Sequence, residues 1–448
     1  MDEYGWIYAT AGLMVGTMAV QLVRGKFDPF APVWLFFVGY VQIYVVQALS
    51  YHDWAVKVRG EELVTEANFR AFAALAWFLA VYFLGPTRLL ARLLPKPPAR
   101  WGTTPVAFMT PFLIAWGLVS AGLLVSRGEG EPSAEAALFA SFPLFMIIAG
   151  GLLLVTGRQP GFKRPGYEAS GIAICLAYMV IWMFNGKRSH SLIAVLVGLS
   201  SYYLPRFRRP SYPVLMATGL AGALAVGIAI GWRYHSVKNP TQSTFSGFLD
   251  FVSTFDPETI LESINVKENE ATAKVMKTHE TEEWGGYLLM LATVPDKSDY
   301  DYGAPYLRVF TTFIPRLVWP SKPLPGREQW VAAWIAGSEL KRDSTFTGPA
   351  IGILGAAQLN GGIWGMAIVL GVWALIVRTA HDYAMLHAHV PWAQAFWSLT
   401  YYNAWFSTVC DDPLNWFYYS YGFTTLPTMT FLWFVNKFAG PAEGPSCA

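Results

Sequence analysis

Charged side chains are scarce in this sequence. Only 14% of its 448 residues are Asp, Glu, Lys or Arg, whereas soluble domains carry roughly 25%. Hydrophobic residues make up 54% of the chain and aromatic residues 16%, including 19 tryptophans. This composition argues against a soluble globular protein. It is typical of a polytopic membrane protein, in which tryptophan and tyrosine gather at both membrane interfaces.

Cysteines and runs of basic residues are also rare. The three cysteines, Cys175, Cys410 and Cys447, are odd in number and far apart, so they predict neither a disulfide framework nor a zinc site. The net charge is only +2, and no basic tract indicates a nucleic-acid partner. Asp2 and Glu3 precede the first apolar run, where a cleavable signal peptide carries positive charge, so we expect no such peptide.

Long apolar runs dominate the rest of the chain. Because a helix needs about 20 apolar residues to cross a bilayer, we predict an all-α membrane protein with eleven spans. The spans lie at 5–23, 31–49, 69–85, 105–126, 134–156, 169–184, 190–204, 212–231, 361–377, 390–409 and 414–434. The first eight form an N-terminal region, 1–231, and the last three a C-terminal region, 349–448. The polar stretch 232–348 between them is predicted to be one large, partly helical loop.

The basic residues of the short connections predict the orientation. They follow the first, third, fifth, seventh, ninth and last spans, whereas the alternate connections are poor in cations or rich in acids. Cytoplasmic connections are enriched in Lys and Arg. We therefore expect the N-terminus and the 232–348 loop outside and the C-terminus in the cytoplasm.

One pair of cations departs from this alternation. Lys187 and Arg188 lie in the short connection 185–190, which the pattern places outside. Cations retained at such a position need an anionic partner. A substrate phosphate is favoured, because Gly186 permits close backbone approach and Ser189 adds a donor. A lipid phosphate and an acid of the large loop, the latter paired only for structure, are the alternatives.

The large loop combines helical patterns with a proline-rich run. Helical patterns occur at 245–255, 271–291 and 328–340, and the first of these is amphipathic enough to lie on the membrane surface. In the run 308–327, Pro315, Pro320 and Pro323 restrain the backbone that carries Arg316 and Lys322. Rigid cations beside a membrane suit a phosphate. The alternative is a surface loop whose cations are merely solvated.

The segment 313–323 reads Phe-Ile-Pro-Arg-Leu-Val-Trp-Pro-Ser-Lys-Pro. It resembles the IPR-x-x-WP-x-KP signature of bacterial oligosaccharide repeat-unit polymerases, the O-antigen and exopolysaccharide polymerases of the Wzy type. The passage 344–365, in which a Ser/Thr-rich turn precedes a Gly-Gly step, resembles a passage of the same family. The predicted external turn 185–189 and the single large external loop also resemble features of this family.

The resemblance implies a membrane-embedded glycosyltransferase of GT-C architecture in the bacterial cytoplasmic (inner) membrane. Such an enzyme transfers a growing glycan from undecaprenyl pyrophosphate to the terminal sugar of another lipid-linked repeat unit. It uses no nucleotide sugar, metal or other cofactor. The implied partners are the undecaprenyl-pyrophosphate-linked oligosaccharide, membrane lipid, a chain-length regulator and a flippase.

The predicted site residues are of two kinds. Cations are expected to bind the lipid pyrophosphate and to stabilise its developing charge; they are Arg316 and Arg188, then Lys322, with Lys187, Arg233 and Arg327 completing the cluster. The alternative for each is an interfacial cation that reaches toward water. The acceptor hydroxyl needs a base, and we rank His190 and Glu328 first. The other candidates on the outer face are His279, Glu339, Asp256, Asp411 and Asp412.

Three remaining features are interpreted as structural. The acidic pair and proline at 411–413 are expected to cap the last helix. The glycine-rich stretch 348–365 is predicted to permit close helix packing. Three histidines, His381, His387 and His389, lie in a predicted cytoplasmic loop. Their spacing matches no metal site.

Other functions stay open beside the polymerase. An O-antigen ligase-like transferase would use the same donor with a different acceptor. A lipid-linked oligosaccharide flippase belongs to another class, but transporters usually have an internal repeat and polar residues at mid-membrane, and the sequence shows no repeat and little charge within the spans. A non-catalytic scaffold would leave the external Lys187 and Arg188 unexplained.

Overall fold

The computed structural model describes residues 3–126, 142–161, 165–238, 244–255, 283–307, 314, 318–319, 351–409 and 417–438. Every regular element in these ranges is a helix, which confirms the all-α prediction. The α-helices in chain order are α1 (Glu3–Val23), α2 (Pro32–Ser50), α3 (His52–Arg59), α4 (Glu61–Leu84), α5 (Thr87–Leu93), α6 (Thr103–Ser126), α7 (Leu144–Gly157), α8 (Pro165–Phe184), α9 (Arg188–Tyr203), α10 (Tyr212–Lys238), α11 (Phe245–Ser253), α12 (Glu283–Thr293), α13 (Gly352–Leu386), α14 (Pro391–Ser398), α15 (Asn403–Val409) and α16 (Leu426–Phe438).

Seven of these helices are long and apolar enough to cross a membrane: α1, α2, α4, α6, α8, α10 and α13. Large apolar side chains project from them without protein cover, such as Val15 at 68% exposed, Met216 at 76% and Trp364 at 76%. Soluble proteins rarely expose so much apolar surface. The helices thus indicate a membrane-embedded protein.

The remaining predicted spans take less regular forms in the part of the chain that the structure describes. Helix α7 has 14 residues and α9 has 16. The predicted span 390–409 is divided into α14 and α15 by a turn at 399–402, and the predicted span 414–434 contains a π-helix, Phe417–Thr425, ahead of α16. Apolar runs thus mark these segments as buried, but they do not predict where the backbone hydrogen-bond pattern changes.

The helices pack around two apolar cores. The first lies between α1, α2, α4, α12 and α13 and contains Phe36, Tyr44 and Phe78. The second lies between α6, α7, α8, α9, α14 and α16 and contains Tyr178 and Trp397. Between the two cores, helices α2 and α15 pack closely against each other. A Cβ on Gly39 of α2 would lie only 2.9 Å from Cβ of Thr408 on α15. Small residues permit such close approach of helices in membranes.

Helix α4 begins eight residues before the predicted span at 69–85. Its first turns carry Glu61, Glu62 and Glu66, which hydropathy excludes from a span but which the positive end of the helix dipole favours. Arg70 forms an ion pair with Glu66 one turn away. The apolar run therefore predicted the span, and the acidic first turns extend the helix beyond it.

Part of the predicted large loop packs into the bundle. Helix α12 overlaps the predicted helix 271–291 from Glu283 onward and ends two residues later, at Thr293. Residues 271–282 lie outside the described residues. Trp284 and Tyr287 on α12 are fully buried in the first core. The predicted helix 245–255 is confirmed as α11, which is capped by Thr244 and packs Phe248 against Trp232. The predicted helix 328–340 lies outside the described residues.

Helix α13 is broken near its start. It extends over 352–386, more than the predicted 361–377, but Gly361 and Gly362 have non-helical backbone angles. Gly362 has φ +58° and ψ −135°, a conformation that only glycine adopts readily. A Cβ on Gly362 would also lie 2.8 Å from the Tyr300 hydroxyl oxygen. The segment after α12 is therefore seated directly against the break.

Gly362→Ala is expected to destabilise the protein by about 1–3 kcal/mol, through strain at φ +58° and the clash with Tyr300. The adjacent Gly361→Ala is the matched control, because Gly361 has φ 163° and its Cβ would meet nothing within 4 Å. Thermal unfolding of both variants in detergent provides the measurement. Equal midpoints for the two variants would contradict the strained geometry.

Candidate functional site

The turn between α8 and α9 brings three of the predicted cations to one end of the bundle. Gly186 has φ +65°, and a Cβ there would lie 2.9 Å from Cβ of Arg233 on α10. Lys187 precedes α9, and Arg188 is its first residue. Both Lys187 and Arg233 are exposed. Two helix termini and the side of a third helix thus present Lys187, Arg188 and Arg233 close together.

Arg188 forms an ion pair with an acid of the predicted large loop. Its Nη2 lies 3.3 Å from Oε1 of Glu283, the first residue of α12. The Glu283 side chain is only 3% exposed, whereas that of Arg188 is 31% exposed. A carboxylate this deeply buried needs a cation or several donors to remain charged. Arg188 supplies the cation from the more open side.

Gln47 completes the surroundings of this carboxylate. Its Nε2 donates a hydrogen bond to Oε2 of Glu283, and its Oε1 accepts one from the Trp284 amide at 3.0 Å. The amide side chain on α2 therefore bridges the first turn of α12. With Gln47 on one oxygen and Arg188 on the other, the carboxylate is fixed in position, and so is the guanidinium.

Three partners are predicted for Lys187 and Arg188: a substrate phosphate, a lipid phosphate or an acid of the large loop. For Arg188 the structure shows the acid, Glu283. Binding of a substrate phosphate by Arg188 stays a prediction. The two are compatible, because a guanidinium carries five N–H donors in a planar fork, and Glu283 occupies one edge of it. An anion approaching from the exposed side would meet a cation already oriented by Glu283.

His190, the predicted base, lies two residues after Arg188, in the first turn of α9. Its Nδ1 is 2.7 Å from the Tyr178 hydroxyl, and its ring stacks on Trp182 with centroids 4.3 Å apart. Both partners are on α8, so the imidazole is held between α8 and α9. Because Nδ1 is hydrogen-bonded to Tyr178, Nε2 is the nitrogen that would exchange a proton with a substrate.

A second polar network lies on the other side of α12. Nη1 of Arg70 donates to Oε1 of Gln358 at 3.1 Å, and Nε2 of Gln358 donates to the Val294 carbonyl at 2.9 Å. Tyr287 donates to the Ala67 carbonyl. These bonds join α4, the first part of α13 and the end of α12. They hold α12 in place, and with it Glu283.

The other predicted site residues lie outside the described residues. They are the cations Arg316, Lys322 and Arg327, the first-ranked acid Glu328, and the lower-ranked candidates His279, Glu339, Asp256, Asp411 and Asp412. The structure therefore brings Lys187, Arg188, His190 and Arg233 together and leaves the roles of all the predicted residues as predictions.

Sequence reasoning missed Glu283 and Gln47. Both had a signal in the sequence. Gln47 is a polar residue inside the predicted span 31–49, where polar side chains usually face a partner. Glu283 directly precedes the apolar run that begins at Trp284, and acids favour the first turn of a helix.

The histidines near the other end of α13 form no metal site with the neighbours that the structure describes. Within the described ranges, no group of three or more His, Cys, Asp or Glu residues is placed to hold a metal ion. Nε2 of His381 lies 3.0 Å from Oδ2 of Asp28, in the connection between α1 and α2. Burial raises the pKa of the Asp28 carboxyl, but the hydrogen bond and charge of His381, the Phe30 backbone N–H and the charge of Arg209 together hold the pKa below its ordinary value. This pair joins the α1–α2 connection to α13.

Comparison of the chain with protein-family models, with curated proteins and with solved structures gave no match. Function therefore has to be inferred from the residues and their arrangement. The most informative arrangement in the described ranges is the cluster of Lys187, Arg188 and Arg233, in which Arg188 is oriented by the buried Glu283.

Proposed function

We propose that this protein polymerises undecaprenyl-pyrophosphate-linked oligosaccharide repeat units into O-antigen or exopolysaccharide at the outer face of the cytoplasmic membrane. The observation that carries the proposal is the cation cluster at the α8–α9 turn, where Glu283 orients Arg188. Support comes from the segment 313–323, whose spacing of prolines, Arg316 and Lys322 resembles the polymerase signature. The architecture proposed with it is GT-C, with the 232–348 loop outside.

The reaction moves one glycan between two lipid carriers. The bond from the sugar anomeric carbon to the pyrophosphate oxygen breaks, and the same carbon bonds to a hydroxyl of the terminal sugar on the acceptor. The hydroxyl proton passes to a base, and undecaprenyl pyrophosphate departs with the bonding electron pair. Negative charge therefore grows on the pyrophosphate, where cations fixed in advance lower the barrier most.

The residues divide between these two tasks. Arg188 and Arg316 bind the pyrophosphate and stabilise its charge, with Lys187, Lys322, Arg233 and Arg327 around them. His190 or Glu328 accepts the proton. A lipid pyrophosphate is an activated leaving group, so we propose no metal or other cofactor. A chain-length regulator and a flippase are proposed as partners.

A lipid-linked oligosaccharide transporter is the second candidate, and the broken α13 favours it. Transporters often form their binding sites at discontinuous helices, where free backbone groups meet the substrate. The break at Gly361 and Gly362 has this character, and the partly buried Tyr300 lies against it. Either function could use the cation cluster, because the transported lipid carries the same pyrophosphate. The polymerase is preferred because the sequence shows no internal repeat and little charge within the spans, and because 313–323 resembles the polymerase signature. Both can be tested in one experiment.

The test supplies purified protein with a synthetic undecaprenyl-pyrophosphate oligosaccharide and no nucleotide sugar. We expect wild-type protein to form a ladder of longer lipid-linked products that EDTA does not affect. Arg316→Ala should slow the ladder about 100-fold or more, by analogy with loss of one group that stabilises a developing anion. Arg59→Ala, an exposed arginine at the end of α3, is the control and should retain activity.

The other outcomes are equally definite. One transfer to a foreign acceptor, with no ladder, would indicate the ligase-like transferase. Movement of the lipid across liposomes that contain the protein, with no transfer of sugar, would replace the enzyme by the transporter.

A further inference from the structure

A large apolar groove lies at the opposite end of the bundle from the cation cluster. Its volume is about 720 Å³, within the range of sites that bind small molecules, and α2, α5, α13, α14, α15 and α16 contribute to its walls. Several wall residues are open to the outside of the bundle, including Phe434 at 51% exposed and Ile376 at 49%. The groove therefore opens toward the surrounding membrane, and an apolar chain can enter from the side.

The surface that the groove presents to an occupant is apolar. Trp373 and Thr379 on α13 both line it, but the Trp373 Nε1 and the Thr379 Oγ1 are sealed below the wall surface. The groove therefore suits hydrocarbon chains, and any polar recognition has to come from its rim.

Two lysines flank the end of the groove near the membrane surface. Trp433, a wall residue, donates from Nε1 to the Lys96 carbonyl at 3.2 Å, and Nζ of Lys437 lies 4.2 Å from the Trp433 ring centroid. Both lysine side chains are exposed. Loop charges place this end in the cytoplasm, where the leaflet carries anionic lipids that attract basic residues.

We infer that this groove binds an anionic diacyl phospholipid of the adjacent leaflet, with its acyl chains along the apolar walls and its phosphate at Lys96 and Lys437. A polyprenyl chain would reach this groove only across the bilayer from a headgroup at the cation cluster. The inference is independent of the proposed catalytic function.

The test is native mass spectrometry of the full-length protein after delipidation. The lipids added are phosphatidylglycerol, phosphatidylcholine with the same acyl chains, and undecaprenyl phosphate. We expect phosphatidylglycerol to bind best and to raise the thermal midpoint. Lys96→Gln combined with Lys437→Gln should weaken phosphatidylglycerol binding about 30-fold, since each basic residue near an anionic lipid contributes roughly fivefold. Lys57→Gln, an exposed lysine on α3, should leave binding unchanged.

A second variant tests the groove itself. Ala380 lies in the wall, so Ala380→Phe should reduce binding of the acyl chains while the two lysines remain. Equal binding of phosphatidylglycerol and phosphatidylcholine, preference for undecaprenyl phosphate, or no effect of the paired lysine replacement would each overturn the inference.

Discussion

Replacing Arg188 and Glu283 together, as Arg188→Met with Glu283→Gln, should restore the stability that Arg188→Met alone removes, yet leave polymerisation as slow as in the single variant. The single variant leaves a buried carboxylate without its cation. We expect a loss of up to about 3 kcal/mol, the low end of the range for a broken buried pair, because Arg188 is itself 31% exposed. The double variant removes the charge that made the loss costly.

Activity should not recover with stability. If Arg188 stabilises the departing pyrophosphate, both variants should lose about 100- to 1000-fold in the rate of ladder formation. Thermal midpoints in detergent measure the first effect, and the ladder assay measures the second. A double variant that is stable and also polymerises at the wild-type rate would show that the pair serves structure alone.

A matched control exists at the opposite end of α8. Arg158 pairs with Glu168 at 2.9 Å, and their side chains are 7% and 27% exposed. Arg158→Met should also destabilise the protein, in part because the guanidinium packs 3.6 Å from the Tyr202 ring centroid. Arg158→Met combined with Glu168→Gln should retain polymerisation wherever it folds. The contrast separates a cation needed for chemistry from one needed for packing.

The sequence predicted the long helices well because their signal is local. For α1, α6 and α10, an unbroken apolar run of about 20 residues coincides with the observed helix. Helix α12 shows where this reasoning ends. Its apolar run from Trp284 is too short to span a bilayer, so the sequence predicts that it belongs to the large loop. Its burial depends on Tyr44 and Leu354, which come from distant parts of the chain.

The sequence likewise predicts one part of the candidate site and misses the other. The turn at 185–190 can be found from the sequence, because its cations lie in a connection that the loop charges predict to be external, where cations are disfavoured. Glu283 lies 95 positions from Arg188, and Gln47 lies 236 positions from Glu283. No local pattern links them, since only the packing of α2, α9 and α12 brings the three together.

Trp284→Ala should be among the most destabilising single replacements in the chain. Trp284 is fully buried in the first core, and truncation of a buried tryptophan costs about 3–5 kcal/mol through lost contacts and the cavity left behind. Loss of α12 packing would also displace Glu283, so polymerisation should fall with stability. The expectation follows from the packing of α12, a helix of the predicted large loop, in the first core.

Trp364→Ala is the matched control, because Trp364 on α13 is 76% exposed and faces the membrane or detergent. Its removal takes away few protein contacts and leaves no cavity, so the thermal midpoint should stay near that of the wild type. Trp284→Phe should lie between the two, since it keeps most of the apolar volume. If Trp284→Ala and Trp364→Ala unfold at the same temperature, α12 does not contribute to the core as described, and Glu283 loses its basis as the residue that orients Arg188.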